Sequence, residues 1–118
     1  MNYKKINNSK EFITIRKLGR YFNSTNFIIQ YQNERNKNKT IDEKYNIRLG
    51  ITASKKIGGA VKRNLVKRRL KSIFKDVLKN YDKTKYCDFI IIGKKNIDKL
   101  GYKDLALEFD NAFRKINT

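Results

Sequence analysis

The sequence predicts an α/β protein built as an α+β sandwich, with a central mixed sheet and elements in the order α-β-β-β-α-β-α. Apolar and polar residues alternate over Ile47–Ala53, which indicates a half-buried strand. The continuous apolar run in Tyr86–Ile92 is typical of a central strand covered on both faces. Between these strands, apolar residues recur at helical spacing over residues 60–80, which predicts one long helix.

The N-terminal part predicts a short helix followed by strands. Asn8 and Glu11 form a capping box, and Gly19 suits the C-terminal cap of the same helix. Phe27–Tyr31 is rich in strand-forming residues, and a further strand is expected near Tyr21–Thr25. Residues 33–45 are polar and lack periodicity, so we expect a mobile loop there.

A C-terminal amphipathic helix completes the predicted domain. Its apolar face is formed by Leu105, Phe109, Ala112, Phe113 and Ile116. No repeat or linker divides the chain, so residues 1–118 are expected to form one domain. Cys87 is the only cysteine, which fits a reducing compartment, and its place beside an apolar run predicts a core position.

The charge is far more positive than solubility requires. Lysine and arginine number 29 against 11 acidic residues, giving a net charge of +18, whereas a small domain stays soluble with about 2–8 net charges. A polyanion would relieve this repulsion, and nucleic acid is the leading candidate ahead of an anionic membrane surface. Neither a signal peptide nor a membrane span is predicted, so a cytoplasmic location is expected.

The positive charge is concentrated on the predicted long helix. From Lys44 to Lys75 there is no acidic residue. When the apolar stripe faces the core, helical spacing places on one exposed arc Asn64, Lys67, Arg68, Lys71 and Lys75. Arg63, Lys67 and Lys71 stack like charges one turn apart, which destabilises a free helix, and a phosphate backbone would reverse the sign of that effect.

The turn before the helix adds a second basic feature. Lys55 and Lys56 precede Gly58-Gly59 and a helix N-terminus, whose free amides attract phosphate. The spacing does not match a nucleotide-binding phosphate loop. The chain is therefore predicted to be a single RNA-binding domain, with RNA contacts from Lys55, Lys56, Arg63, Asn64, Lys67, Arg68 and Lys71.

Catalysis by the chain itself is not expected. The absence of histidine removes the usual general acid–base pair of metal-independent ribonucleases, and one cysteine excludes most zinc sites. The carboxylates are scattered, and Asp104 and Glu108 read more readily as a solvated helix face than as metal ligands. Composition leaves open a ribosomal protein or a DNA-binding nucleoid factor, and a metal-dependent nuclease would have to cleave RNA alone.

Residues 54–68 resemble a motif of the bacterial ribonuclease P protein family. The segment reads Ser-Lys-Lys-Ile-Gly-Gly-Ala-Val-Lys-Arg-Asn-Leu-Val-Lys-Arg, and the family pattern is close to S-K-K-x-G-N-A-V-x-R-N-R-[IL]-K-R. The likeness extends over about residues 5–116, with Glu11-Phe12 and Arg48–Ile51 before the motif and Asp88–Ile92 with Lys94-Lys95 after it.

This resemblance implies an accessory subunit of a ribonucleoprotein endonuclease that removes the 5′ leader of precursor tRNA. The catalytic RNA would bind along Arg63–Lys71 and hold most of the Mg²⁺, no catalytic residue or metal ligand would lie in this chain, and no protein partner would be required. A leader cleft is implied between the N-terminal helix and the sheet, and its candidate residues are Phe12, Tyr31 and Lys94. The family also implies a left-handed β-α-β crossover, against the general rule.

Three departures from the family pattern bear on the site. Leu65 replaces the second arginine of the motif and is expected to face solvent, with Lys62 and Arg69 one turn away as candidates to compensate. Gly59 replaces an asparagine, which loosens the turn, and Arg16 stands where a second aromatic residue is common. The alternative function is a non-enzymatic basic RNA-binding protein, such as a ribosomal protein.

Overall fold

The computed structural model describes residues 4–6, 10, 13, 15, 17, 19–33, 47–79 and 87–116 of the chain. Its strands are β1 (Lys4–Lys5), β2 (Arg20–Asn23), β3 (Phe27–Asn33), β4 (Ile47–Ala53) and β5 (Cys87–Gly93). The basic helix (Ala60–Leu78) follows β4, and a 3-10 helix (Ile97–Lys99) and the C-terminal helix (Tyr102–Ile116) follow β5.

The five strands form one mixed sheet in the order β1-β4-β5-β3-β2. β1, β4 and β5 run parallel, whereas β3 is antiparallel to both β5 and β2. The basic helix therefore connects two adjacent parallel strands, β4 and β5. The mixed α+β architecture is as predicted, and the left-handed sense of this connection stays a prediction.

One face of the sheet packs against the basic and C-terminal helices. Its centre is a cluster of buried phenylalanines whose ring centroids lie 5.3 to 6.2 Å apart: Phe27, Phe74, Phe89, Phe109 and Phe113. Burying a side chain of this size stabilises the fold by about 1.5–3 kcal/mol. We call this side of the sheet the helix-covered face.

The other side of the sheet, the opposite face, combines apolar and charged groups. Ile90 packs there against Ile6 and Ile15. Asp88 is fully buried, and Arg48 on the adjacent strand donates Nε to Oδ1 at 2.8 Å and Nη2 to Oδ2 at 2.7 Å. β5 is therefore covered on both sides, as its apolar run predicted, and its one buried charge is paired.

The helical N-terminal segment ends where the sequence predicted. Lys10, Ile13, Ile15 and Lys17 are helical, and the amide of Gly19 donates to the carbonyl of Ile15 at 2.8 Å. A Cβ on Gly19 would lie 2.6 Å from the carbonyl oxygens of Ile15 and Tyr31, so only glycine fits. The rest of this predicted helix, including Phe12 and Arg16, lies outside the described residues.

Several boundaries differ from the predictions. The C-terminal helix starts at Tyr102, earlier than its apolar stripe suggested, and Asn33 belongs to β3 rather than to the predicted loop. Residues 34–45 and the side chain of Cys87 lie outside the described residues. β1 was not predicted, because two lysines carry no strand signal and the strand depends on pairing with β4. Among the described helices, none is long and apolar enough to cross a membrane.

Candidate nucleic-acid interface

The basic helix is oriented by its apolar stripe. Val66, Leu70, Ile73, Phe74 and Leu78 are buried against the sheet. One side of the helix is then turned outward, and we call it the open flank: Arg63, Asn64, Lys67, Arg68, Lys71 and Lys75. Within the described part of the chain, no carboxylate forms an ion pair with any of these side chains. Helical spacing predicted this arc for all of these residues except Arg63.

Arg63 has an additional unsatisfied group on the open flank. The side chain is half-buried, and its Nε is buried without a hydrogen-bond partner. A buried donor without an acceptor costs roughly 1–3 kcal/mol. The guanidinium would have to turn outward for Nε to reach an acceptor, and a phosphate oxygen is an acceptor that guanidinium groups bind well.

The other side of the helix makes contacts with the rest of the protein, and we call it the docked flank: Lys62, Leu65 and Arg69. Arg69 Nη1 donates to the carbonyl of Leu100 at 3.0 Å. Lys62 Nζ lies 4.0 Å from Asp98 Oδ2. Leu65 lies between them at helical spacing and is half-buried, so the expectation that it faces solvent is wrong. A helical wheel considers one helix alone, so it omits the 3-10 helix and the residue that follows it. Asp98 and Leu100 of this segment contact Lys62 and Arg69, which lie one turn before and after Leu65.

The turn before the basic helix leaves its N-terminus open. Lys55 and Lys56 are exposed, and the buried Ile57 anchors the turn to the core. Gly58 has a φ of 143°, a conformation that side chains rarely adopt. Gly59 is the N-cap, with no side-chain cap and no acidic residue in the first turn. The first amides of the helix therefore keep their hydrogen-bonding capacity and the positive end of the helix dipole.

Of the three predicted leader-binding residues, the two that the structure describes, Tyr31 and Lys94, do not converge. Phe12 lies outside the described residues. Tyr31 is paired with Phe89 and packs on the helix-covered face, away from Ile15 and the expected cleft. Lys94 donates its ammonium to Asn23 Oδ1 and, at 2.6 Å, to the carbonyl of Ser24. Lys94 thus holds the β2–β3 turn, and any contact of these residues with a leader stays a prediction.

Gln30 is the residue of β3 that sequence reasoning missed. It stands opposite Ile90, which packs against Ile15, so it lies on the side of the sheet where the cleft was expected. Gln30 is half-buried, and its Oε1 is buried without a hydrogen-bond partner. The sequence could have predicted this position, because side chains alternate along a strand. A strand that buries Ile29 on one face places the next residue, Gln30, on the other.

The carboxylates of the described residues are spread over the fold rather than gathered at a site. Glu108 accepts hydrogen bonds from Ser24 Oγ at 2.7 Å, from the Asn26 amide at 3.0 Å and from Asn26 Nδ2 at 2.6 Å. Asp104, one turn away, is exposed. Among the described residues, no group of three His, Cys, Asp or Glu side chains is placed to hold a metal ion.

A family model described as Ribonuclease P matches residues 1–117. The chain belongs to the ribonuclease P protein family. The ribonuclease P protein component of Streptococcus pneumoniae serotype 4 is 33% identical over 101 residues, covering 86% of this chain and 74% of that protein. Membership implies a protein component of a ribonuclease complex, in place of the ribosomal or nucleoid protein that composition left open.

Solved structures of ribonuclease P proteins share the fold. The Staphylococcus aureus RNase P protein superimposes with a TM-score of 0.79 at 27% identity, covering 98% of this chain and 96% of that one. The Thermotoga maritima RNase P protein gives 0.73 at 21% identity, covering 92% and 93%, and supports the fold alone. The family predicted from residues 54–68 is therefore confirmed.

Proposed function

We propose that this chain is the protein subunit of ribonuclease P, which binds the catalytic RNA and assists the Mg²⁺-dependent removal of 5′ leaders from precursor tRNA in the cytoplasm. The observation that carries this proposal is the open flank, where five cations lack a carboxylate partner within the described residues. Family membership identifies the class of ribonucleoprotein in which such a surface would be used.

The electrostatics of the open flank favour a nucleic-acid backbone. Arg63, Lys67 and Lys71 follow one another at four-residue spacing, so the helix holds like charges in a row. Each phosphate that neutralises one of them releases condensed counterions, and binding should weaken with salt by a slope of about 0.7–0.9 per contact. Lys55 and Lys56 continue the row beyond the open helix N-terminus.

The acidic side chains support a division of roles in which the RNA, and not the protein, holds the catalytic Mg²⁺. Asp88 is held by Arg48, and Glu108 is held by the β2–β3 turn. Neither is available for the convergent carboxylates that bind catalytic Mg²⁺ in protein nucleases. In the proposed assembly the RNA supplies the Mg²⁺ sites and the hydrolysis. The protein supplies positive charge that lets two polyanions, the catalytic RNA and its substrate, approach each other.

The opposite face of the sheet is the proposed site for the leader. It adjoins Ile15 of the N-terminal segment, and it presents Gln30 and the half-buried Ile28 and Ile92. Single-stranded RNA is bound by such combinations of apolar surface and hydrogen-bonding groups, because its bases are unpaired. Lys94 lies at the β2 end of the sheet, where its ammonium adds positive charge.

Reconstitution tests the proposal. The full-length protein is mixed with its cognate catalytic RNA and a precursor tRNA at low Mg²⁺ concentration, and release of the 5′ leader is measured. We expect cleavage well above that of the RNA alone and none by the protein alone. An absence of stimulation would contradict the proposal, and cleavage by the protein alone would indicate a metal-dependent nuclease.

A variant with Lys67 and Lys71 changed to alanine should lose most of the stimulation. Its matched control carries Lys99→Ala and Lys103→Ala, which remove the same charge from exposed positions near the C-terminal helix. The control is expected to stimulate like the natural protein. Equal losses in both variants would show that net charge, rather than the open flank, is responsible.

A further inference from the structure

We infer that the RNA backbone contacts the basic helix along its open flank alone, and that Arg69 on the docked flank is a positioning residue rather than an RNA contact. This inference rests on the proposed RNA binding and narrows it to one side of the helix. It assigns different roles to two cations that are two residues apart in the sequence: Lys67 contacts RNA, and Arg69 does not.

Arg69 makes a hydrogen bond within the protein, which is the first argument. Its Nη1 donates to the carbonyl of Leu100, immediately before the C-terminal helix, at 3.0 Å. Its side chain is half-buried. Arg69 thus ties the middle of the basic helix to the start of the C-terminal helix, and only the guanidinium donors that do not bind this carbonyl are left for a phosphate.

The distribution of negative charge is the second argument. Asp98, whose side chain is 11% exposed, lies beside Lys62 on the docked flank. Asp76 follows Arg69 by seven residues, so two helical turns place its exposed carboxylate on the same side. A phosphate approaching the docked flank would meet both carboxylates, which Lys62 and Lys79 neutralise in part, whereas no carboxylate pairs with a cation of the open flank within the described residues.

The departure at Leu65 is the third argument. The resembled motif has an arginine here, and this chain has a half-buried leucine between Lys62 and Arg69. Lys62, although its side chain is 61% exposed, lies beside Asp98, and Arg69 donates to the carbonyl of Leu100, so both neighbouring cations already face groups of the protein. The docked flank is therefore an intramolecular packing surface, and the RNA footprint is narrower than the motif suggests.

Salt dependence of RNA binding tests the inference. Affinity for the cognate catalytic RNA is measured at several salt concentrations for the natural protein, Lys67→Ala and Arg69→Ala. We expect Lys67→Ala to reduce the slope of log affinity against log salt by about 0.7–0.9. Arg69→Ala should leave the slope unchanged and lower the melting temperature. A slope reduced equally in both variants would overturn the inference.

Two further variants keep the test decisive if Arg69→Ala folds poorly. Arg69→Gln removes the charge but keeps a donor for the Leu100 carbonyl, so we expect a recovered melting temperature and an unchanged slope. Leu65→Arg adds the motif arginine, and we expect no increase in slope; an increase of about 0.7–0.9 would overturn the inference. If Lys67→Ala also has no effect on binding, the proposed RNA surface itself fails, which is a separate outcome.

Discussion

The two faces of the sheet are built from the same strands but differ in the side chains that they bury. On the helix-covered face, Phe89 and its phenylalanine neighbours are fully buried and contain no polar group. On the opposite face, the adjacent residue Asp88 is a buried charge, and Gln30 has an unsatisfied oxygen. Buried aromatic surface is therefore concentrated on one face, whereas the other face holds the polar groups, and we expect the first face to contribute more to stability.

Alternation along each strand produces this division. In β4, buried Leu49 follows Arg48; in β3, buried Ile29 precedes Gln30. A shift of one residue in register would exchange the two faces, so the apolar set on the helix-covered face fixes where every polar group of the opposite face lies.

The largest effect is expected on the helix-covered face. Phe74→Ala should reduce the free energy of unfolding by about 3–5 kcal/mol, because it leaves a cavity in a packed core. Phe74 is fully buried and its ring lies 5.6 Å from Phe89 and 6.2 Å from both Phe109 and Phe113. Urea unfolding followed by circular dichroism measures the change.

The matched control for Phe74 is Phe22→Ala, which removes a half-buried ring at the edge of the same cluster. It should cost clearly less, because its cavity opens to solvent. Equal losses at Phe74 and Phe22 would show that the cluster is not the centre of stability, and the contrast between the two faces would weaken.

The fold was largely predictable from the sequence because its signals are local. Strand alternation located β4, and helical spacing located the basic helix together with its exposed arc. β1 and the 3-10 helix were missed because neither has a periodic apolar pattern, and both depend on contacts with distant residues. Burial of Leu65 was missed for the same reason.

The candidate site was predictable only in part. The positions of the open-flank cations could be predicted from helical spacing, because they depend on no contact with another part of the chain. Tyr31 was assigned to the leader by its aromatic character, whereas its strand register places it against Phe89. The commitment of Lys94 to Asn23 and Ser24 depends on a turn 70 residues away in sequence, which periodicity cannot reveal.

An intermediate effect is expected from the ion pair on the opposite face. Asp88→Ala leaves the guanidinium of Arg48 without its bidentate partner in a side chain that is only 18% exposed. Breaking a fully buried pair costs roughly 3–5 kcal/mol, and the partial exposure of Arg48 should reduce this to about 2–3 kcal/mol. The measurement is the same urea unfolding experiment used for Phe74.

The double variant Arg48→Met with Asp88→Leu separates charge from packing at this pair. Replacing both partners by apolar residues removes the uncompensated charge, so most of the lost stability should return. A double variant as unstable as Asp88→Ala would indicate that hydrogen bonds of this pair to other groups are essential. In that case the stability of the protein would depend on specific contacts of the opposite face, as it does on those of the phenylalanine cluster.

The smallest effect on stability is expected at Gln30, where function and stability should separate. Gln30→Leu removes a buried acceptor that has no partner, so the free energy of unfolding should stay within about 1 kcal/mol or rise. If the leader lies on the opposite face, the reconstituted assembly should lose affinity for precursor tRNA and keep its affinity for mature tRNA. Asn111→Leu, at an exposed position of the C-terminal helix and away from the opposite face, is the control and should change neither affinity. An unchanged preference for precursor over mature tRNA in Gln30→Leu would place the leader elsewhere, and the polar groups of the opposite face would then need a structural explanation.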